Sequence, residues 1–559
     1  MATSWISLNR PDGSWTQLET QSATTDRVYA RALGDAESAF YWDGEFAGTS
    51  DVVERTVIQL APALRLDDLK EDEARFRDVW LAVKRRYPLL AARFDEQDGE
   101  DSLRFVVDEA DIRDVVGPQE FEFVPNADAD ASSAALERAL NGQPRRLSPS
   151  VVAAISVLRR EDSSDGTYEF ITVGSHAVLD GMASCTLART ICDVLARWPN
   201  SLDDPVPDIE QRLQMAPALE ALHTQLQLSL PRQRWRTAIA RVLLARRMDL
   251  LRGGQTLPRK WTTQTPRSPA QSRVVRVYLP SDATPRALAA CRAHGVTLGH
   301  TLPVIGQLAL SRVLHRRLKQ GSLSAEEWES RKRIPAHTGG PLNLRPFVVP
   351  DWQQAGGLTE VNLCIGFFLM TLPNIPRSPL SNATDPMSFN TDETNAPPLS
   401  ELLPAKRFWL RVELAKRAAT STYRHPLFQD MQAISNPTRI ARGRAAAIAW
   451  RKTQAGEEVP PLPDMGPDAL VFTHIGSSMG NMDALLPLTF PQAGKPTVHR
   501  LSSDMHLHCR PGELYLSAKT THGVTELYAF YDGNVYEESV VREWLQEVEL
   551  GFNHYLAST

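Results

Sequence analysis

His176-Ala-Val-Leu-Asp180-Gly181 sets an imidazole, a carboxylate and a glycine at a spacing suited to proton transfer. A neutral imidazole can take the proton of a hydroxyl near pH 7. Chance yields this pattern in about one of twenty chains of similar length, so its surroundings carry part of the argument. Tyr168-Glu-Phe-Ile-Thr-Val-Gly174 in front of it has the composition of a β-strand, and an apolar helix starts near Met182. A turn between strand and helix is held by a rigid scaffold and can project a ring into a cleft. His176 is therefore the candidate general base. His506-x-His508 places two imidazoles on one face of a strand, as some metal sites do. With no third ligand nearby, a solvated sheet edge is expected there, and no metal.

The elements that must position His176 follow from periodicity. Arg55 to Leu60 is a strand candidate, and Phe76, Val79, Trp80 and Val83 recur at helical spacing within Glu73 to Arg86, a helix that Pro88 should end. Strands are expected at Leu103 to Val107, Val151 to Leu158 and Tyr168 to Val173, with a helix after the motif to about Trp198. Phe40-Tyr-Trp42 fits core packing, with an acyl pocket as the alternative. Pro231 to Arg252 is a helix rich in arginine, with Ile239, Val242, Leu243 and Leu250 as its apolar side. Its arginines fit a solvated face on a crossover helix, a membrane-surface or phosphate-binding helix being the alternative. Gly253 to Ser272 resembles a linker. A strand at Arg273 to Leu279 then opens a second half, followed by helices from Thr284, as N-cap, to His294 and from Leu298 to Leu318. Asn374 to Leu403 and Thr453 to Asp468 should be surface loops. Strands near Met505 to His508, Glu513 to Lys519 and Leu527 to Tyr531 precede a last helix from Val540 to Tyr555.

The size of 559 residues exceeds what one core usually holds, so two lobes are expected: residues 1–252 with the motif, a linker at 253–272, and residues 273–559. Strand and helix alternate in both, the grammar of an α/β fold. A formal charge of -6 with both signs well mixed gives no reason to expect nucleic acid. Five cysteines, an odd number with no C-x-x-C pair, suit reduced buried thiols. The start lacks a signal-peptide pattern and no stretch has the roughly 20 apolar residues of a membrane helix. A cytoplasmic protein with no membrane insertion is expected.

Several further segments occur in a telling order: Arg31-x-Leu-Gly-x-x-Glu37, Arg86-Tyr-Pro-Leu-Leu-Ala-Ala-Arg93, His176-Ala-Val-Leu-Asp-Gly181, His294-Gly-Val-Thr-Leu298, Asn343-Leu-Arg-Pro346, Gly366-Phe-Phe-Leu-Met-Thr-Leu-Pro373, Thr473-His-Ile-Gly476 and Tyr531-Asp-Gly-Asn-Val-Tyr536. Together they resemble the His-x-x-x-Asp acyltransferase superfamily, which includes chloramphenicol acetyltransferase, plant acyltransferases and nonribosomal-peptide condensation domains. Within it the likeness is greatest to fungal alcohol O-acetyltransferases such as trichothecene 15-O-acetyltransferase. The resemblance implies two chloramphenicol-acetyltransferase-like lobes, mixed sheets flanked by helices, around an active-site tunnel.

It also implies a general-base role for His176 and a structural one for Asp180, paired with Arg345 of Asn343-Leu-Arg345-Pro. Gly181 is expected to let the backbone turn tightly and to offer an N–H to a developing oxyanion. Ser477 and Ser478 are further oxyanion or acceptor candidates, and His474 of Thr473-His474-Ile-Gly, where relatives carry Ser-Asn-x-Gly, is a candidate second tunnel histidine. Ser175 replaces the first of the two histidines usual in condensation domains, and the Asp-Phe-Gly-Trp-Gly segment of the plant branch is absent. The implied reaction is acyl transfer, with acetylation foremost, from acetyl-CoA or another acyl-CoA to a hydroxyl of a small acceptor, a terpenoid or another specialised metabolite. It needs no tightly bound cofactor, and a monomer suffices. Rival readings are a carrier-protein-bound donor with condensation or amide formation, and a non-catalytic metabolite-binding protein on the same scaffold.

Overall fold

The computed structural model describes residues 13–19, 26–96, 103–115, 117–161, 166–375, 390–459 and 470–558. The N-terminal segment, part of the loop expected at 374–403 and part of that at 453–468 lie outside them. Two six-stranded mixed sheets organise the chain. The first contains β1 (Val52–Leu60), β2 (Phe121–Ala127), β3 (Ala153–Arg160) and β4 (Thr167–Gly174). The second contains β5 (Ser272–Tyr278), β6 (Ala336–Asn343), β7 (Ile365–Leu372) and β8 (His474–Asn481). Of the last four strands, β9 (Thr489–Phe490) and β10 (Val498–Leu507) return to the first sheet, whereas β11 (Leu514–Thr521) and β12 (Val524–Asp532) stay in the second. Spatial order is β9-β10-β1-β4-β3-β2 in one and β7-β6-β8-β11-β12-β5 in the other. A four-stranded antiparallel sheet of Thr16–Leu18, Val28–Ala32, Leu103–Asp108 and Arg93–Glu96 completes the first half.

The architecture is α/β, and the two halves interlock. The first core takes in Leu344, Val361, Phe490 and Val498 from the second half, and β10 pairs with β1 along almost its whole length. Residues 253–272 lead from the first half into the second, whose own core is a separate cluster that includes Leu257. Charged side chains tie the sheets together: Asp504 of β10 receives Lys519 of β11 and Arg276 of β5, each at 2.7 Å.

Local rules explain the helices around the site. Helix α1 (Asp35–Glu45) starts after Gly34, where Glu37 accepts the Gly34 N–H at 2.7 Å and pairs with buried Arg31 at 2.8 Å. Helix α2 (Leu69–Arg86) begins four residues earlier than periodicity suggested, because Asp68 caps it by accepting from the N–H groups of Lys70 and Glu71. Such a cap is worth about 1 kcal/mol. Phe76, Val79, Trp80 and Val83 are buried, as the spacing requires, and the helix stops at Tyr87-Pro88. Helix α3 (Gly181–Ala196) carries the motif, α4 (Leu230–Asp249) is the arginine-rich helix, and α5 (Leu298–Lys319) lies in the second core.

Thr284 is not an N-cap. Its helix, Ala283–Ala293, starts after Asp282, and the Thr284 hydroxyl bonds Thr525 Oγ1 at 2.9 Å. Residues 404–452, unassigned from periodicity, form α6 (Ala405–Tyr423) and α7 (Phe428–Gln454). Pro437 lies inside α7, where a proline usually signals a stop. The last helix, α8 (Glu538–Phe552), packs on α5. His506 and His508 are buried, not on a solvated edge: the His506 ring packs 5.8 Å from that of Phe530 and lies against Arg276, His508 lies against the Ala270 carbonyl, and burial lowers His506 to about 3 and His508 to about 4. Among the described residues no group of three His, Cys, Asp or Glu side chains could hold a metal ion, and no helix is long and apolar enough to cross a membrane.

Candidate active site

The motif folds as a turn whose chemistry is local. Val178 and Leu179 donate their N–H groups to the Ser175 carbonyl at 2.9 Å, and the Leu179 side chain lies back against Gly174. A Cβ at Gly174 would come within 2.1 Å of Leu179 Cδ1, so only glycine permits this return at the end of β4. Asp180 then caps α3 by accepting from Ala183 N–H at 2.9 Å. His176 is thereby fixed between a strand and a capped helix, with its ring in the interior.

Asp180 is the mechanical centre of the turn. Arg345 Nη1 lies 2.8 Å from its Oδ2 and 3.1 Å from its Oδ1, and Cys364 N–H donates to Oδ2 at 2.8 Å. Arg345 Nη2 donates to the Asn362 carbonyl at 2.8 Å. Both side chains are almost wholly buried. Burial alone would raise the Asp180 pKa, but the guanidinium and the N–H donors hold it below the usual carboxylate range. The pair pins the motif loop to the segment joining β6 and β7, across the chain's midpoint.

His176 stacks on Phe40 of α1, with ring centroids 3.8 Å apart. Its Nδ1 is buried without a regular hydrogen-bond partner among the described residues, its own main-chain oxygen being the polar group that favours a proton there. Burial lowers its pKa to about 4, against the pull of Asp180, with Arg439 and Arg510 reinforcing the drop. The imidazole is therefore neutral at pH 7. Arg439 of α7 sits 4.0 Å from the Phe40 ring centroid and shares Asp43 with Arg510, each guanidinium 2.7 Å from Oδ2. Two cations on one carboxylate leave positive charge next to the base.

A cavity opens against Phe40 and Arg439, bounded also by Phe367, Glu220, Gln432 and Asn436. At about 20 Å³ it holds one water or one polar atom, not the body of a substrate. Glu220 faces it with Oε2 unpartnered among the described residues, while Oε1 accepts the Ala36 N–H at 2.9 Å at the start of α1. Burial raises the Glu220 pKa to about 7, with Asp35 and Glu37 adding to the rise.

The remaining candidates separate by strand face. Alternation along β8 puts His474 and Ser478 on one side and Ser477 on the other, before the register shift that leaves Met479 unpaired. The first side is covered by α5. A Cβ at Gly306 would lie 2.5 Å from His474 Nε2, and one at Gly299 would lie 3.3 Å from Ser478 Cβ. His474 also packs 5.5 Å from Trp544 of α8, and burial lowers its pKa to about 4. It is a core histidine of the second half, not a second histidine facing His176. Met479 reaches Gly181, and on the other side Ser477 Oγ lies 3.3 Å from Ser517 Oγ.

Gly181 needs correction as well. It is the first residue of α3 with no left-handed φ, and an added Cβ would meet Met505 and Met479 at 3.5 to 3.8 Å, ordinary contact distances. The tight approach belongs to Gly174. Phe40 belongs to the aromatic run for which an acyl pocket is the alternative to core packing, whereas Arg439, Asp43, Arg510 and Glu220 carry no sequence signal tying them to His176. They come from four distant stretches, and only the fold assembles them.

Comparison of the whole structure with solved ones decides the fold. Trichothecene 15-O-acetyltransferase TRI3 from Fusarium sporotrichioides superposes with a TM-score of 0.69 at 15% identity, over 96% of this chain and 98% of that one. The chain has a condensation-domain-like fold. The first condensation domain of the calcium-dependent antibiotic synthetase, solved with a substrate analogue, matches with a TM-score of 0.56 at 11% identity, over 94% of this chain and 97% of that one. The EpoB cyclization-docking bidomain of Sorangium cellulosum matches at 0.54 and 12%, over 95% and 86%. No protein-family model matches the sequence, and no curated protein does either. The condensation-like fold is thus carried by a sequence of low identity to these structures.

Proposed function

We propose that this protein is an acyl-CoA-dependent O-acyltransferase, with acetyl-CoA the foremost donor and a hydroxyl of a terpenoid or other specialised metabolite as acceptor. The observation that carries the reading is a buried, neutral His176, stacked on Phe40 and held by a loop that the Asp180–Arg345 pair locks in place. The fold shared with an O-acetyltransferase supports it.

In this reading His176 removes the acceptor hydroxyl proton as the oxygen attacks the thioester carbonyl. The tetrahedral intermediate collapses as the C–S bond breaks, and the imidazolium returns the proton to the departing CoA thiolate. General-base help of this kind contributes roughly 10² to 10⁴ in rate, and holding both substrates together supplies more. Asp180 and Arg345 act by positioning the loop. The Gly181 N–H, one of the unpaired donors at the start of α3, and the Ser477 hydroxyl are the oxyanion donors in this scheme. The reaction requires neither a metal nor a bound cofactor, and one chain in the cytoplasm suffices for it.

A carrier-bound thioester donor with an amine acceptor is the second reading, favoured by the likeness to condensation domains. Ser175 in place of a second histidine weighs toward the alcohol. The test is release of free thiol from acetyl-CoA with a panel of hydroxylated terpenoids, simple alcohols and amines. Release that depends on an alcohol supports the proposal. Release only with amines, or only from an acyl group loaded on a carrier protein, moves the chain to the second reading.

A further inference from the structure

Helix α4 carries a charge pattern that the active site does not use. Ala240, Leu243 and Leu244 pack inward on Leu427, Met431 and Ile434, and Arg236 is tied to Asp430 at 2.8 Å. This fixes the helix along α7 and turns its other side to solvent. Of the apolar residues on α4, Leu243 is thus spent on packing, while Trp235 is 68% exposed and Val242 60%. At about 100° per residue, Ala238, Val242, Trp235 and Ile239 fall in one outward stripe. Arg234 and Arg241 run along one edge of it, and Arg232 and Arg246 lie toward the other. All four arginines are exposed, and none forms an ion pair with another described residue. The helix has a single acidic residue, Asp249, which pairs with Arg252 at 2.9 Å.

We propose that α4 is an interfacial helix that lays this protein on an anionic lipid surface. Tryptophan and aliphatic side chains on an outward stripe partition into the headgroup boundary. Arginines at the stripe's edges extend their heads to lipid phosphates while their stems cover apolar area. The complementarity is local: the whole chain has a formal charge of -6, so an anionic surface repels most of the molecule and attracts this face. Binding of this kind is peripheral and crosses nothing. It is independent of the acyl-transfer reading.

The test is co-sedimentation of the full chain with vesicles of phosphatidylcholine alone and of phosphatidylcholine mixed with phosphatidylserine. The expected result is binding to the mixed vesicles only, lost at high salt. Arg234→Gln with Arg241→Gln should weaken partitioning roughly 30-fold, at about 1 kcal/mol per arginine. Trp235→Ser with Val242→Ser should weaken it roughly tenfold or more. Both variants change exposed residues, so their melting temperatures should stay close to the native value, and either alone suffices as a test. Absent binding, equal binding to both vesicle types, or native binding by the arginine variant overturns the proposal. Light scattering that shows a dimer converted to monomer by the Trp235→Ser and Val242→Ser pair would assign the face to a second copy instead.

Discussion

His176 and His474 are both buried histidines, and burial lowers each to about 4. Their surroundings differ in what they leave open. The His474 ring is enclosed by packing, with Gly306 of α5 and Trp544 of α8 against it. His176 has one aromatic partner, a loop pinned by a buried ion pair, and a cavity beyond its stacking partner. A lowered pKa by itself therefore does not mark a catalyst. The His474 ring fills space between two helices, whereas His176 sits on a turn pinned by a buried ion pair, against the aromatic ring that borders the cavity.

The contrast breaks most visibly at Arg345. Arg345→Ala leaves Asp180 buried without its cation and should cost about 3–5 kcal/mol in chemical denaturation. Adding Asp180→Asn should return part of that, since a neutral amide replaces the orphaned charge. Recovery to native stability by the single variant would show that the pair does not lock the loop.

Next is the start of α3. Gly181→Pro removes one N–H at a first helical position, where proline is tolerated. If that N–H meets the oxyanion, kcat should fall roughly 10²- to 10³-fold with the fold intact by circular dichroism. Unchanged turnover would take Gly181 out of the mechanism. On the His474 side, Gly306→Ala drives a methyl into the ring and should cost about 1–3 kcal/mol, with kcat nearly unchanged. A large loss of kcat at native stability would place His474 in the reaction after all.

The pH profile sharpens the comparison further. His176 is neutral in the fold, with its pKa lowered from the ordinary 6.5 to about 4. The acid limb of kcat/KM should therefore appear near pH 4, with a flat response from pH 6 to 8. A limb near 6.5 would mean that water reaches the ring freely. The same sign governs stability: each imidazole contributes no penalty above pH 6.5 and weakens the fold as pH falls toward 4, because the unfolded chain takes the proton first. The smallest effect expected is from Gly181→Ala, which keeps the N–H and fits its surroundings. Stability should change by no more than about 0.5 kcal/mol.

Much of the scaffold around His176 was legible in the sequence because it obeys short-range rules. The strand before it, the helix after it and the carboxylate between them lie within one stretch, and the Asn343-Leu-Arg345 segment could be matched through resemblance. The face of β8 was not legible. Ser477 and Ser478 are neighbours in sequence but point to opposite sides, and only strand pairing decides which side meets the motif helix. Phe40, Arg439 and Glu220 converge from α1, α7 and a short turn near Leu222, contacts that no local pattern encodes. Helix α7 itself was hidden by Pro437 and by a low contrast between its faces. The apolar side expected for α4 was divided by the fold, Leu243 inward and Val242 outward.

The most direct test of the central claim is thiol release from acetyl-CoA, with an accepted alcohol, for the native protein, His176→Ala and His474→Ala side by side. His176→Ala should lower kcat roughly a hundredfold or more, with native-like melting. His474→Ala should lower melting and keep turnover within a few-fold of native. Release that survives in His176→Ala would contradict the account.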